Sequence, residues 1–157
     1  MDVALVNPFI EGTLHILDTT ALVKVKPGPP FLKVNTDHNG DISGILSVEG
    51  DLEATVAISF TEKSILGIVS AMFGEEMTEI NEEIIDAVGE ISNMIAGQVT
   101  TKIGDIGKKV KVKFVEVVTG RNKEILHTQS GSHVVGIPFH TTKGKVLLEV
   151  CYSDQNS

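Results

Sequence analysis

The chain has 157 residues, 22% of them charged, and its 13 basic and 21 acidic side chains give a formal charge of −8. That length suits one domain, 1–157, with a real core, and the negative balance argues against a nucleic-acid backbone or an anionic membrane as partner. The single cysteine, Cys151, excludes an internal disulfide and fits a reducing cytoplasm.

In chain order, residues 2–20 show helical apolar spacing at Val6, Phe9, Ile10, Leu14 and Leu17, with Pro8 tolerable only near a first turn. The N-terminus carries an acid where a signal peptide wants bases. No apolar stretch reaches the roughly 18–20 residues of a membrane span, so a soluble, cytoplasmic protein is expected. Residues 22–26 alternate as a strand and stop at the stiff loop Pro27-Gly28-Pro29-Pro30; 31–34 is a short extended piece, and Asp37 to Asp41 is a turn cluster. Residues 42–48 and 52–60 read as a hairpin joined at Glu49-Gly50-Asp51. Thr61 is the expected N-cap of a helix over 62–73 that Gly74 ends. A long helix over 79–104 follows. After it 110–118 alternates, 119–122 turns, 125–128 is a brief strand, and 134–140 with 145–152 forms a second hairpin around 141–144. The order helix, strand, hairpin thus occurs twice. An α+β domain with a pseudo-twofold repeat, a largely antiparallel sheet and both long helices on one face is the expected fold. In that repeat Gly44-Ile45 aligns with Gly136-Ile137, Ala57 to Phe60 with Glu149 to Tyr152, and Glu11-x-x-Leu14 with Glu90-x-x-Asn93. Generic similarity between helix–hairpin units is the competing explanation.

The long helix is two-faced. Ile84, Val88, Ile91, Ile95 and Val99 fall on a stripe roughly 80° wide at about 100° per residue. Opposite lie Glu82, Asp86, Glu90, Asn93, Gly97 and Thr100. From Glu75 to Thr101 there are seven acids and no base, whereas a solvated face ordinarily mixes both signs. Gly89 and Gly97, on or beside this face, each cost roughly 1 kcal/mol of helix propensity relative to Ala, which suits a surface that something approaches closely.

Glu90 and Asn93, at i and i+3, project side by side from one turn. They make no metal site, because one strong ligand without a matching second carboxylate or His does not hold an ion; Asp86 lies on the same side but does not converge with them. A merely solvated face is the plain alternative. The five His are scattered, Cys151 reads as a small buried strand residue, the Lys108 to Lys113 cluster as the wet side of a strand, and no nucleophile elbow or phosphate-binding glycine loop is present.

Asp86-x-x-x-Glu90-x-x-Asn93, continuing Met-Ile-Ala-Gly-Gln, resembles the D/S-x3-E-x2-N signature of the CheC/CheX/FliY family of chemotaxis phosphatases. Length, a single intact motif and an N-terminal Asn-Pro-Phe-Ile-Glu helix look most like its CheX members. The family pattern can extend to a proline where this chain has Glu116. What the resemblance implies is hydrolysis of the phosphoaspartate on a CheY-type receiver domain of a response regulator. Asn93 would position the attacking water, Glu90 would engage a lysine of the receiver, and Asp86, Gly89 and Gly97 would form the contact. The resemblance further implies no cofactor bound by this chain, Mg²⁺ supplied by the phosphorylated partner, and a homodimer. Two other readings stay open: a non-catalytic module that grips a receiver or flagellar component through the acidic helix, and a scaffold in which that helix packs between subunits.

Overall fold

The computed structural model describes residues 3–20, 22–33, 40–120 and 132–153. Helix α1 (Val3–Thr19) leads to two short strands, β1 (Val25–Pro27) and β2 (Phe31–Lys33). A hairpin of β3 (Ile42–Gly50) and β4 (Ala54–Phe60) precedes α2 (Glu62–Phe73) and the long α3 (Glu82–Asp105). Strand β5 (Val110–Thr119) and a hairpin of β6 (Ser132–Thr141) and β7 (Gly144–Ser153) complete the described elements.

The second helix stands where the sequence puts it. Thr61 Oγ1 accepts from the Ser64 N–H while Ser64 Oγ accepts from the Thr61 N–H, and Gly74 ends the helix at φ 70°, a left-handed conformation that glycine adopts without a Cβ penalty. Several details differ from expectation; the first hairpin, for one, turns at 51–53 between β3 and β4 and not at Glu49 to Asp51. The strand foreseen at 22–26 starts only at Val25, because Leu22 turns the chain at φ 54° and the Val23 N–H still donates to Leu17 O. The long helix begins at Glu82, not 79, since the Asn81 side chain caps it by accepting from the Ile84 N–H at 3.2 Å. Pro8 lies in the second turn of α1 rather than the first; its buried ring, between the buried Leu5 and Phe9, offsets the lost helical hydrogen bond. The turn residues 37–39 and the brief strand at 125–128 lie outside the described residues.

All strand pairings are antiparallel, in the order β1-β6-β7-β4-β3-β5 with β2 also on β6. The two hairpins meet at the centre through β4 and β7, and each half lends its single strand to the other half's hairpin: β5 pairs β3, while β1 and β2 pair β6. This reciprocal exchange is the pseudo-twofold that the repeat predicts. Even the irregularities match, for β5 carries a bulge between its partners Ile45 and Leu46, and the first-half strand breaks at Gly28 to Pro30 between β1 and β2.

The helices confirm their alignment through burial. Leu5, Phe9, Gly12, Thr13, Ile16 and Leu17 are buried in α1 where Ile84, Val88, Ile91, Ser92, Ile95 and Ala96 are buried in α3. The hairpin alignment is corrected by one residue in its first strand. Ile58 pairs Gly44 while Val150 pairs Val135, so Gly44 corresponds to Val135 and not to Gly136. Gly44 faces α3, whereas Gly136 lies under the ring of Phe31. A one-residue slip changes face in a strand, so the shared Gly-Ile pair is coincidental.

Buried residues from all three helices form one core with Ile42, Leu46, Val56, Ile58, Phe60, Ile137, Phe139, Leu148 and Val150 on one sheet face. Ile45, Ala57 and Val118 make a separate small cluster on the other face. Both long helices therefore lie on the same side, as expected.

Candidate active site

Helix α3 is held from beneath along its whole length. Ile84, Val88, Ile91, Ile95 and Val99, the stripe read from the sequence, are each at most 1% exposed. Small residues let the helix settle onto the sheet: a Cβ at Gly44 would overlap the Ser92 side chain, and Ser92 Oγ donates back to Val88 O at 2.7 Å. On the α1 side, a Cβ at Gly12 would stand 3.1 Å from Val99 Cγ2. Past the helix, Asp51 fixes the return by accepting from the Lys109 N–H at 2.7 Å while its own N–H donates to Lys109 O. The face opposite the core is thereby locked in direction.

That face carries Glu82, Asp86, Glu90, Asn93 and Gly97, all exposed, with Thr100 half-buried. Glu90 and Asn93 share one turn, and among the described residues their side chains and that of Asp86 make no hydrogen bond or ion pair. Glu11, the counterpart of Glu90, is instead in an ion pair with Lys102 at 3.4 Å, and Leu14 stands where Asn93 stands. One half offers an unengaged Glu and Asn, and the other has an ion-paired Glu and no Asn.

The two glycines differ. A methyl group at Gly97 would meet nothing within 4 Å, so nothing among the described residues requires a glycine there. One at Gly89 would stand 3.4 Å from Phe114 Cζ and 3.8 Å from Val117 Cγ2. That is ordinary van der Waals contact, so the fold brings an aromatic ring from β5 against Gly89 without requiring a glycine there. Glu116, at the place of the family proline, pairs with Ile45 beside the bulge of this edge strand rather than in the loop after the helix. The sequence reading missed Phe114. Its signal was the adjacent apolar pair Phe114-Val115, which breaks the alternation of β5 where the bulge inserts a residue.

Among the described residues no group of three His, Cys, Asp or Glu side chains could hold a metal ion. His15, His133 and His140 are exposed, and Cys151 is a buried residue of β7 that forms no disulfide. Among the described residues no helix is long and apolar enough to cross a membrane.

Comparison with known proteins agrees with this architecture. The family described as Chemotaxis phosphatase CheX matches residues 42–140. The CheY-P phosphatase CheX of Thermotoga maritima is 29% identical over 126 residues, 80% of this chain and 81% of that protein. A CheC-like superfamily protein from Shewanella sp. PV-4 superposes with a TM-score of 0.88 at 34% identity, over 98% of this chain and all of its own. Chemotaxis protein CheX of Desulfovibrio desulfuricans gives 0.85 at 31% identity over 95% and 99%.

Proposed function

Since this chain belongs to the chemotaxis phosphatase CheX family, we propose that it is a CheY-P phosphatase, hydrolysing the aspartyl phosphate of a CheY-type receiver domain, the activity named for its Thermotoga relative. The observation that carries the proposal is the outward pair Glu90 and Asn93 on one turn of a helix locked against its sheet, with side chains engaged by nothing else among the described residues.

The chemistry suits those side chains. Phosphoryl transfer to water passes through a loose transition state in which positioning and charge placement do most of the catalysis. Water attacks phosphorus in line, the bond between phosphorus and the aspartyl oxygen breaks, and phosphate leaves with the receiver carboxylate regenerated. The Asn93 carboxamide oxygen accepts a hydrogen bond from the attacking water and aims it, without the repulsion that a carboxylate would exert on the phosphoryl oxygens. Glu90 pairs with a lysine of the receiver's own site and fixes the helix against it. Asp86 lies at the rim of the contact, and Gly97 leaves space for a receiver loop. Three polar groups spaced along a straight helix do not converge on an ion, so the donor set of this chain does not fit Mg²⁺, and Mg²⁺ belongs to the phosphorylated partner. The two edges of the sheet, β5 on one side and β1 with β2 on the other, suit a homodimer formed by strand pairing.

The test is phosphate release from a phosphorylated receiver with Mg²⁺, timed with and without the protein. Acceleration is expected. A protein that binds the phosphorylated receiver without speeding release would be the non-catalytic module.

Two substitutions follow from the site's geometry. Glu11→Ala removes an exposed ion pair, in which the two side chains are 61% and 32% accessible. It is expected to change stability by less than about 1 kcal/mol and to leave dephosphorylation unchanged, as read by thermal melting and phosphate release. Loss of activity with the fold intact would mean that the first half holds a working site. Gly97→Ala relieves roughly 1 kcal/mol of helix penalty with no clash, so the melting temperature is expected to rise by about 2–4 °C while KM for the receiver increases. A higher melting point with an unchanged KM would show that no partner group comes close at Gly97.

A further inference from the structure

We infer that Phe114 is an apolar anchor for the docked receiver domain, seated beside Glu90 and Asn93 and governing affinity rather than the chemical step. This rests on the phosphatase reading of α3. The ring comes from β5, an edge strand whose bulge inserts Val115 between the partners of Ile45 and Leu46. The bulge leaves two neighbouring apolar side chains open, Phe114 at 37% and Val115 at 52%. Phe114 crosses to the helix and lies over Gly89, which is one residue before Glu90 and one turn before Asn93.

The size of a docked receiver supplies the occupant. Catalysis requires the receiver's phosphoaspartate to reach Glu90 and Asn93. A specific protein contact covers about 800 Å² on each partner, a patch roughly 30 Å across. A ring packed on the residue adjoining Glu90 falls inside such a patch when it is centred on the site, so a receiver docked squarely on Glu90 and Asn93 covers Phe114. The face around it is acidic and polar, with Asp86, Glu90 and Asn93 exposed. It offers orientation and charge but little apolar area, and a large rigid aromatic at the centre of a contact is the type of residue that carries binding energy.

The internal repeat gives an independent argument. In the first half, Ile10 occupies the helix position of Gly89, and the Gly28 to Pro30 break occupies the strand position of the bulge. The half without the Asn also lacks the glycine and the ring. Two positions far apart in sequence differ together between a half with the polar pair and a half without it.

The experiment is steady-state dephosphorylation of a receiver phosphorylated by a small-molecule phosphodonor, comparing the wild type with Phe114→Ala and Phe114→Leu. Direct titration of the phosphorylated receiver, thermal melting and light scattering accompany it. Phe114→Ala is expected to raise KM and the receiver Kd by about 10- to 30-fold with kcat within about 3-fold of wild type and the same oligomeric state, and Phe114→Leu to recover most of the affinity. An unchanged KM and Kd overturns the inference. So does a fall in kcat alone, which would mean that the ring only holds α3 in place, and so does dissociation into smaller species, which would make the patch a contact with a second copy of this chain. Failure of the underlying reading looks different: the wild type itself would not speed phosphate release, and the Kd comparison would then decide the role of Phe114 by itself.

Discussion

Asn93→Ala is expected to lower kcat for the phosphorylated receiver by on the order of 100-fold, the scale of loss when a reacting group is no longer held in line, while the receiver still binds with nearly unchanged affinity. The reason lies in what the side chain touches. Asn93 is exposed and bonded to no described residue, so among those residues its carboxamide supports nothing. A water held by it contributes to the transition state and little to the ground state, and an interaction of that kind appears in kcat and not in KM. Single-turnover phosphate release alongside receiver titration measures both. The melting temperature is expected to stay within a few degrees, because Ala is a better helix former than Asn and no packing is lost. If Asn93→Ala unfolds the protein while its folded remainder keeps full activity, the face is structural and the phosphatase assignment fails.

Glu90→Ala is expected to weaken binding and turnover together. A carboxylate paired with a lysine at a desolvated contact leaves that lysine unpaired when removed, at a cost of roughly 2–5 kcal/mol, about 30- to 5,000-fold in kcat/KM. Glu90→Gln keeps the shape and one acceptor without the charge and is expected to fall between. As with Asn93, nothing among the described residues depends on Glu90, so the fold tolerates both changes. The measurement is kcat/KM with the receiver Kd for each variant. A Glu90→Ala variant with full affinity and reduced kcat would place Glu90 at the water and not at a receiver lysine, reversing the roles given to the pair.

Much of this architecture was legible in local sequence because local physics sets it. The spacing of Ile84, Val88, Ile91, Ile95 and Val99 fixed which face of α3 is buried, and so which face offers Glu90 and Asn93. Thr61 and Gly74 bounded α2 through cap hydrogen bonds made within one turn. The two hairpins followed from alternating runs that flank tight turns. The family signature lay within α3 for the same reason, since its residues share one helix face.

Tertiary structure alone decided what depends on partners distant in sequence. The exchange of β5 and β1 between the halves could not be read from either strand, because an alternating run specifies a buried face and not a neighbour. The match of Gly44 with Gly136 misled because period-2 side chains make a one-residue slip invisible until a facing element shows the side: Ser92 of α3 over Gly44, Phe31 over Gly136. Gly89 was visible in the sequence only as a helix penalty, and the fold supplied its tenant, a ring delivered by a bulge 25 residues along the chain. Periodicity, caps and turns are fixed within a few residues by backbone geometry, whereas register, bulges and cross-element seats are fixed by contacts whose two sides the chain specifies far apart.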